Sequence, residues 1–258
     1  MTDQPAADRT AISPNAVVLL AAWIASGVGL VMAPQAQGVL TFAFVILGWV
    51  LAVVVHEFGH AFIAHKAGDP TIAEKGYLSL DPLKYADLGT SIVIPVIAVV
   101  LGGIGFPGGA VYLREDMMRN RAWRALASLA GPLGTLVVLL LLAAVIRFAG
   151  PTLPGGMASP LIPALAFLAF LQATALILNL LPVPGLDGYG ILRPFLPKGV
   201  REATRKFEGL AMLALLGLLF FVPPAANLFF GVAFLAANAA GVPLEAVQEG
   251  YRAFRFWS

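Results

Sequence analysis

Apolar residues run through this chain in long unbroken stretches, and polar residues fall almost entirely in the connections between them. The stretches are Ala16–Ala33, Val39–Ala64, Ile92–Phe106, Ala125–Ile146, Leu161–Leu181, Gly209–Val222 and Ala225–Ala240. Several of them approach or exceed the ~18–20 residues that carry a helix across a bilayer. The pattern therefore predicts an all-α polytopic membrane protein. Proline and glycine punctuate the connections, as in HKAGDPTIAEKGYLSLDPLKYADLGTS and PVPGLDGYG. Ile92–Phe106 is the odd stretch: it contains Pro95, runs into glycines, and is short for a span yet long for a loop.

Charge decides how that stretch is read. If Ile92–Phe106 crossed, Lys66, Lys75 and Lys84 would face one side and Arg114, Arg119, Arg121 and Arg124 the other. Cytoplasmic loops collect the Lys and Arg of a membrane protein, so such a split is disfavoured. A segment that dips in and returns puts both clusters on the cytoplasmic side. Arg193, Lys198, Arg201, Arg205 and Lys206 join them there, as do Arg252 and Arg255. The expectation is six spans, a re-entrant segment between the second and third, and both termini cytoplasmic. Irregular backbone at membrane depth must be buried in protein or face a wet cavity.

The composition agrees with a single membrane-embedded domain over residues 1–258. The chain is 59% hydrophobic and 12% charged, against about 25% charged in soluble domains. Its excess of basic residues lies between apolar runs and reads as topology rather than nucleic-acid binding. The polar N-terminus lacks the positive charge of a cleaved signal, so the first run reads as a retained helix. The sequence has no cysteine, which leaves His, Asp and Glu as the strong metal ligands.

Two of the three histidines fall in HEFGH, near the end of the second span. Residues four apart stack on one helix face, so His56 and His60 can aim at one metal. Glu57 sits beside them, placed to act on a water rather than to ligate. This is the logic of HExxH zinc hydrolysis. Ionisable groups inside an apolar helix mark function by default. His65, five residues past His60, points to another face.

A catalytic zinc takes three protein ligands and leaves a position open. Only two carboxylates lie close to membrane-embedded stretches, Glu57 and Asp187. Asp187 follows the fourth full-length run in LNLLPVPGLDGYG, on the side that carries HEFGH. Pro182 and Pro184 break the helix there, and Gly185 and Gly188 loosen the backbone. Asp187 is thus the expected third ligand. Ser128, Gly131 and Gly134 in SLAGPLG permit close helix packing. GIGFPG matches a nucleotide-loop spacing formally, but Pro107 and the preceding membrane segment exclude it. A metal transporter would need polar residues along a path through several spans, whereas here they cluster at one side. A catalytically silent binding protein is disfavoured because every catalytic position is filled.

HEFGH, AGP in a central span and NLLPVPGLDG after the next resemble the site-2 protease family of intramembrane zinc metalloproteases. The family's HExxH and NxxPxxxxDG motifs match His56–His60 and Asn179–Gly188, within a core of about residues 39–188. The resemblance implies one zinc per chain on His56, His60 and Asp187, with Glu57 as base and Asn179 helping to hold the substrate backbone. It implies a cell-membrane enzyme that cuts transmembrane segments of membrane proteins near the cytoplasmic side, as in regulated intramembrane proteolysis. The chain has no room for the PDZ or CBS domain of some members. Oligomeric state is left open by the sequence.

Overall fold

A computed structural model describes residues 12–85 and 111–257, and the expected re-entrant stretch Ile92–Phe106 lies outside them. Ten α-helices follow in order: α1 Pro14–Met32, α2 Gln37–Ala67, α3 Thr71–Glu74, α4 Arg121–Ala144, α5 Leu161–Leu180, α6 Asp187–Leu192, α7 Lys198–Arg205, α8 Glu208–Phe221, α9 Pro223–Ala239 and α10 Leu244–Phe254. The described residues contain no β-strand. Local sequence marks the ends. Ser13 caps α1 through its hydroxyl, with Pro14 at the first helical position. Asn120 caps α4 by accepting from the Trp123 amide. Gly68 ends α2 in the left-handed region at φ 114°.

α5 is the axis of the bundle. It is buried along nearly its whole length, from Ile162 to Asn179, because α1, α2, α4, α9 and α10 pack around it. A helix apolar on every side is stable only where every side meets protein or lipid. The surrounding helices turn apolar residues outward, among them Val18, Val28, Leu133, Leu141, Leu228 and Leu235. That inside-out distribution suits a lipid environment, in which close packing rather than exclusion of water holds helices together. The broadest seam joins α2 to α4.

Among the described residues four helices are long and apolar enough to cross a membrane, α1, α2, α4 with its continuation, and α5. The last two apolar runs form α8 and α9, which meet at 92° across Val222 and Pro223, and counting the pair as one span gives five. At 1.5 Å per residue the two are about 21 and 26 Å long, each short of the ~30 Å hydrocarbon core. Hydropathy shows the length of such runs but not the bend between them.

Both ends of the described chain can be placed along α2. α1 runs antiparallel to it, with Gly29 beside Leu40 and Trp23 beside Gly48. The Ser13 amide donates to Ser79 O, in the connection after α2. At the other end Phe256 lies against Gly38 at the start of α2, and Gly250 against the Pro163 carbonyl at the start of α5. The two described ends therefore sit at opposite ends of the bundle.

Between α2 and α4 the chain forms a polar cap over the end of α2. Asp69, fully buried, accepts from the Thr71 amide, the Thr71 hydroxyl and the Arg114 amide at 3.0, 2.7 and 2.7 Å. The Arg119 amide donates to Ala67 O at 3.0 Å. Residues 111–114 are thereby strapped along the last turns of α2, and Arg193 after α6 pairs with Glu115 beyond them.

Candidate metal centre

HEFGH occupies the C-terminal half of α2, about two turns before the helix ends. His56, Glu57 and His60 are all buried, at 7, 4 and 7% exposure. Small residues make this possible. A Cβ added at Gly59 would lie 2.5 Å from the Ala130 carbonyl oxygen, so only glycine lets α4 come this close. The SLAGPLG segment is thus a packing surface, as its small residues suggest, and it also forms one wall of the centre.

The two histidines turn their outer nitrogens outward and their inner nitrogens together. His60 Nδ1 lies 2.7 Å from Ala127 O. A carbonyl only accepts, so Nδ1 carries the proton and Nε2 offers a lone pair. His56 Nδ1 lies 2.9 Å from Thr135 Oγ1, a hydroxyl able to accept in the same way. The two Nε2 atoms then face each other at 3.0 Å. Asp187 closes the group, with Oδ2 3.2 Å from His56 Nε2 and Oδ1 3.3 Å from His60 Nε2.

Asp187 reaches the site because α5 ends at Leu180 and the proline-broken segment after it turns the chain back into α6. α6 packs on α4, with Gly190 against the Ser128 hydroxyl. Asp187, a carboxylate, is the anionic donor of the group.

This donor set fits zinc. Ligands at about 2.0–2.1 Å around a tetrahedral zinc lie about 3.3 Å from one another, close to the 3.0, 3.2 and 3.3 Å found here. Without a cation, the two Nε2 lone pairs and the two carboxylate oxygens at these separations repel. Asp187 Oδ2, for instance, is buried with no hydrogen-bond donor facing it. Space is reserved as well: a Cβ on Gly131 would fall 2.2 Å from His60 Nε2 and 2.6 Å from His56 Nε2. The group His56, His60 and Asp187 is the one metal-ligating cluster among the described residues.

Glu57 stands apart from that cluster. Its Oε2 accepts the Val111 amide at 3.2 Å, so the strapped segment reaches the site. Asn179, 3% exposed, lies near the end of α5 and lines a small cavity shared with His56 and Glu57. His65 is absent from the cluster.

Three features escaped the sequence reading. Thr135 and the Ala127 carbonyl orient the imidazoles, and orienting groups of this kind fix which ring nitrogen is free. Gln172, 1% exposed, lines the same cavity as Asn179. Its signal was present: Gln172 and Asn179 are seven apart in an otherwise apolar helix and so share a face.

The chain is 43% identical over 219 residues to a Mycolicibacterium smegmatis protein named "Putative zinc metalloprotease Rip2", covering 84% of this chain and 82% of that one. A Mycobacterium tuberculosis protein of the same name is 43% identical over 217 residues, with the same coverage. "Putative zinc metalloprotease YwhC" of Bacillus subtilis is 28% identical over 185 residues, 70% of this chain and 81% of that one. No family model matches the chain, and no solved structure matches it.

Proposed function

Since this chain belongs to the site-2 protease family of zinc metalloproteases, we propose that it is an HExxH-type zinc endopeptidase that cuts transmembrane segments of membrane proteins near their cytoplasmic ends. The observation that carries this reading is the convergence of His56, His60 and Asp187 from two separate helices, with Glu57 beside them and all of it among apolar helices.

In this reading His56, His60 and Asp187 hold one zinc. Zinc there supplies Lewis acidity toward a carbonyl oxygen and toward water. Glu57 accepts a proton from the attacking water and delivers it to the departing nitrogen. The water oxygen bonds to the carbonyl carbon as the C–N bond breaks. Thr135 and the Ala127 carbonyl hold the imidazoles in register, and Gly131 keeps the space clear. Asn179 binds the substrate backbone, which must unwind because helical carbonyls are already engaged.

We place the catalytic side at the cytoplasm. The connections that flank the site carry Lys66, Lys75, Lys84, Arg114, Arg119, Arg121 and Arg124, together with Arg193 and the basic α7. The whole chain acts as one membrane-embedded domain in the cell membrane.

The test uses purified protein, reconstituted with zinc and offered single-span model substrates. Wild type is expected to cleave them, and Glu57→Gln to lose at least about a thousandfold in rate while keeping its zinc. Asp187→Ala is expected to lose zinc. Equal cleavage by wild type and Glu57→Gln would sink the assignment of the base, and unchanged zinc content in Asp187→Ala that of the third ligand.

A further inference from the structure

Behind the metal centre, toward the middle of the membrane, α2 and α5 enclose a cavity lined by Trp49, His56, Glu57, Thr135, Gln172 and Asn179. Two of these groups are unusual. Trp49 is 3% exposed and Gln172 1%. Trp49 Nε1 and Gln172 Nε2 are both buried, and neither has a protein hydrogen-bond partner. A buried polar group left without a partner is costly, by about 1–3 kcal/mol. Two such donors lining one cavity point to an occupant that accepts hydrogen bonds.

The size of the cavity selects the occupant. It has room for about one water and no more. A buried water needs two to four polar partners. Trp49 and Gln172 supply donors, while Glu57, Thr135 and Asn179, which line the same cavity, carry acceptor oxygens. A lipid chain would leave both donors unpaired. A peptide backbone does not fit unless α2 and α5 part.

We propose that this cavity is a water-binding site that resupplies the hydrolytic reaction from behind. The inference rests on the proteolytic reading above. Each peptide bond cut consumes one water. A substrate segment lying across the centre covers the cytoplasmic mouth, by which bulk water enters. Trp49 and Gln172 hold a water on the far side of Glu57, inside the protein, where the substrate does not displace it. That water shares a cavity wall with the base and can move up when the previous one is spent. Gln172 is a positioning residue in this scheme, because it acts through the water and not on the substrate.

Two variants remove the donors: Gln172→Met with little change of volume, and Trp49→Phe, which also replaces the indole by a smaller ring. The first measurement is hydroxyl-radical labelling by X-ray radiolysis of the zinc-loaded, bilayer-reconstituted protein, which marks side chains in contact with bound water. Trp49 is expected to be labelled despite its burial, and labelling to fall at least about twofold in Gln172→Met. The second is steady-state cleavage of a single-span substrate. Each variant is expected to lower kcat about tenfold, the loss of roughly one hydrogen bond, with KM and zinc content unchanged. An unlabelled Trp49 in the wild type overturns the proposal, since the cavity is then dry. A rise in KM at constant kcat also overturns it, by assigning the two donors to the substrate backbone. If the wild type cleaves nothing, the proteolytic reading fails and resupply fails with it. Labelling of Trp49 still decides, by itself, whether the cavity holds water.

Discussion

Gly131 carries no side chain, and none fits. A methyl group there would occupy the space in which His56 Nε2, His60 Nε2 and the Asp187 carboxylate meet. Gly131→Ala is therefore expected to keep its helical content and lose zinc affinity at least about a hundredfold, measured by metal titration and circular dichroism. Unchanged affinity would mean that the metal lies elsewhere. Thr135→Val deletes the partner of His56 Nδ1 and keeps the shape. It is expected to weaken zinc binding or activity by about 10- to 100-fold, through the tautomer rather than the fold. At this scale the sequence was legible where chemistry is written as spacing. His56, His60 and Glu57 share a helix, so their relation follows from 3.6 residues per turn. Thr135 was not legible, because an isolated polar residue in a span does not announce its partner.

At the scale of elements, the polar cap shows how a loop reaches a buried glutamate. Asp69 gathers three hydrogen bonds and so fixes residues 111–114 against α2. Only then does the Val111 amide meet Glu57. Asp69→Ala is expected to cost about 3 kcal/mol of stability, read as a lower midpoint of unfolding in detergent. It is expected to slow cleavage at unchanged zinc content as well. A stability loss with no change in rate would separate the cap from the base. Helix positions were readable here from apolar length. The 92° turn between α8 and α9 was not. Pro223 and Pro224 signal a break, but its angle is set by packing, with Leu215, Leu219 and Phe229 closing on Leu178 and Leu186.

For the whole molecule the sidedness of the chain is the open physical question with the sharpest answer. Charge counting reads Ile92–Phe106 as re-entrant and the other six apolar runs as full passages, which returns the C-terminus to the side on which the chain began. Contacts place it by Gly38, at the far end of α2 from Ser79. Reporters fused within the Ser79 connection and after Trp257 are expected to light up on opposite sides of the membrane. Reporters on one side would restore six passages. The helical class and the apparent pairing of HEFGH with LDG were legible from sequence. The closure of the bundle around α5 was not, because five neighbours share its burial and none of them bears a signature of its own.

The ligands of the centre are held by helices made at different times. A ribosome adding about 5–20 residues per second delivers His60 roughly 6–25 s before Asp187. Throughout that interval α2 can enter the bilayer with two imidazoles and a carboxylate but without the carboxylate that completes the set. On the proposed proteolytic reading, a nascent chain is thus kept inactive until its last ligand arrives. The distance between HEFGH and LDG along the chain acts as a clock on the onset of activity, and a chain stopped before Asp187 is expected to insert and remain inert.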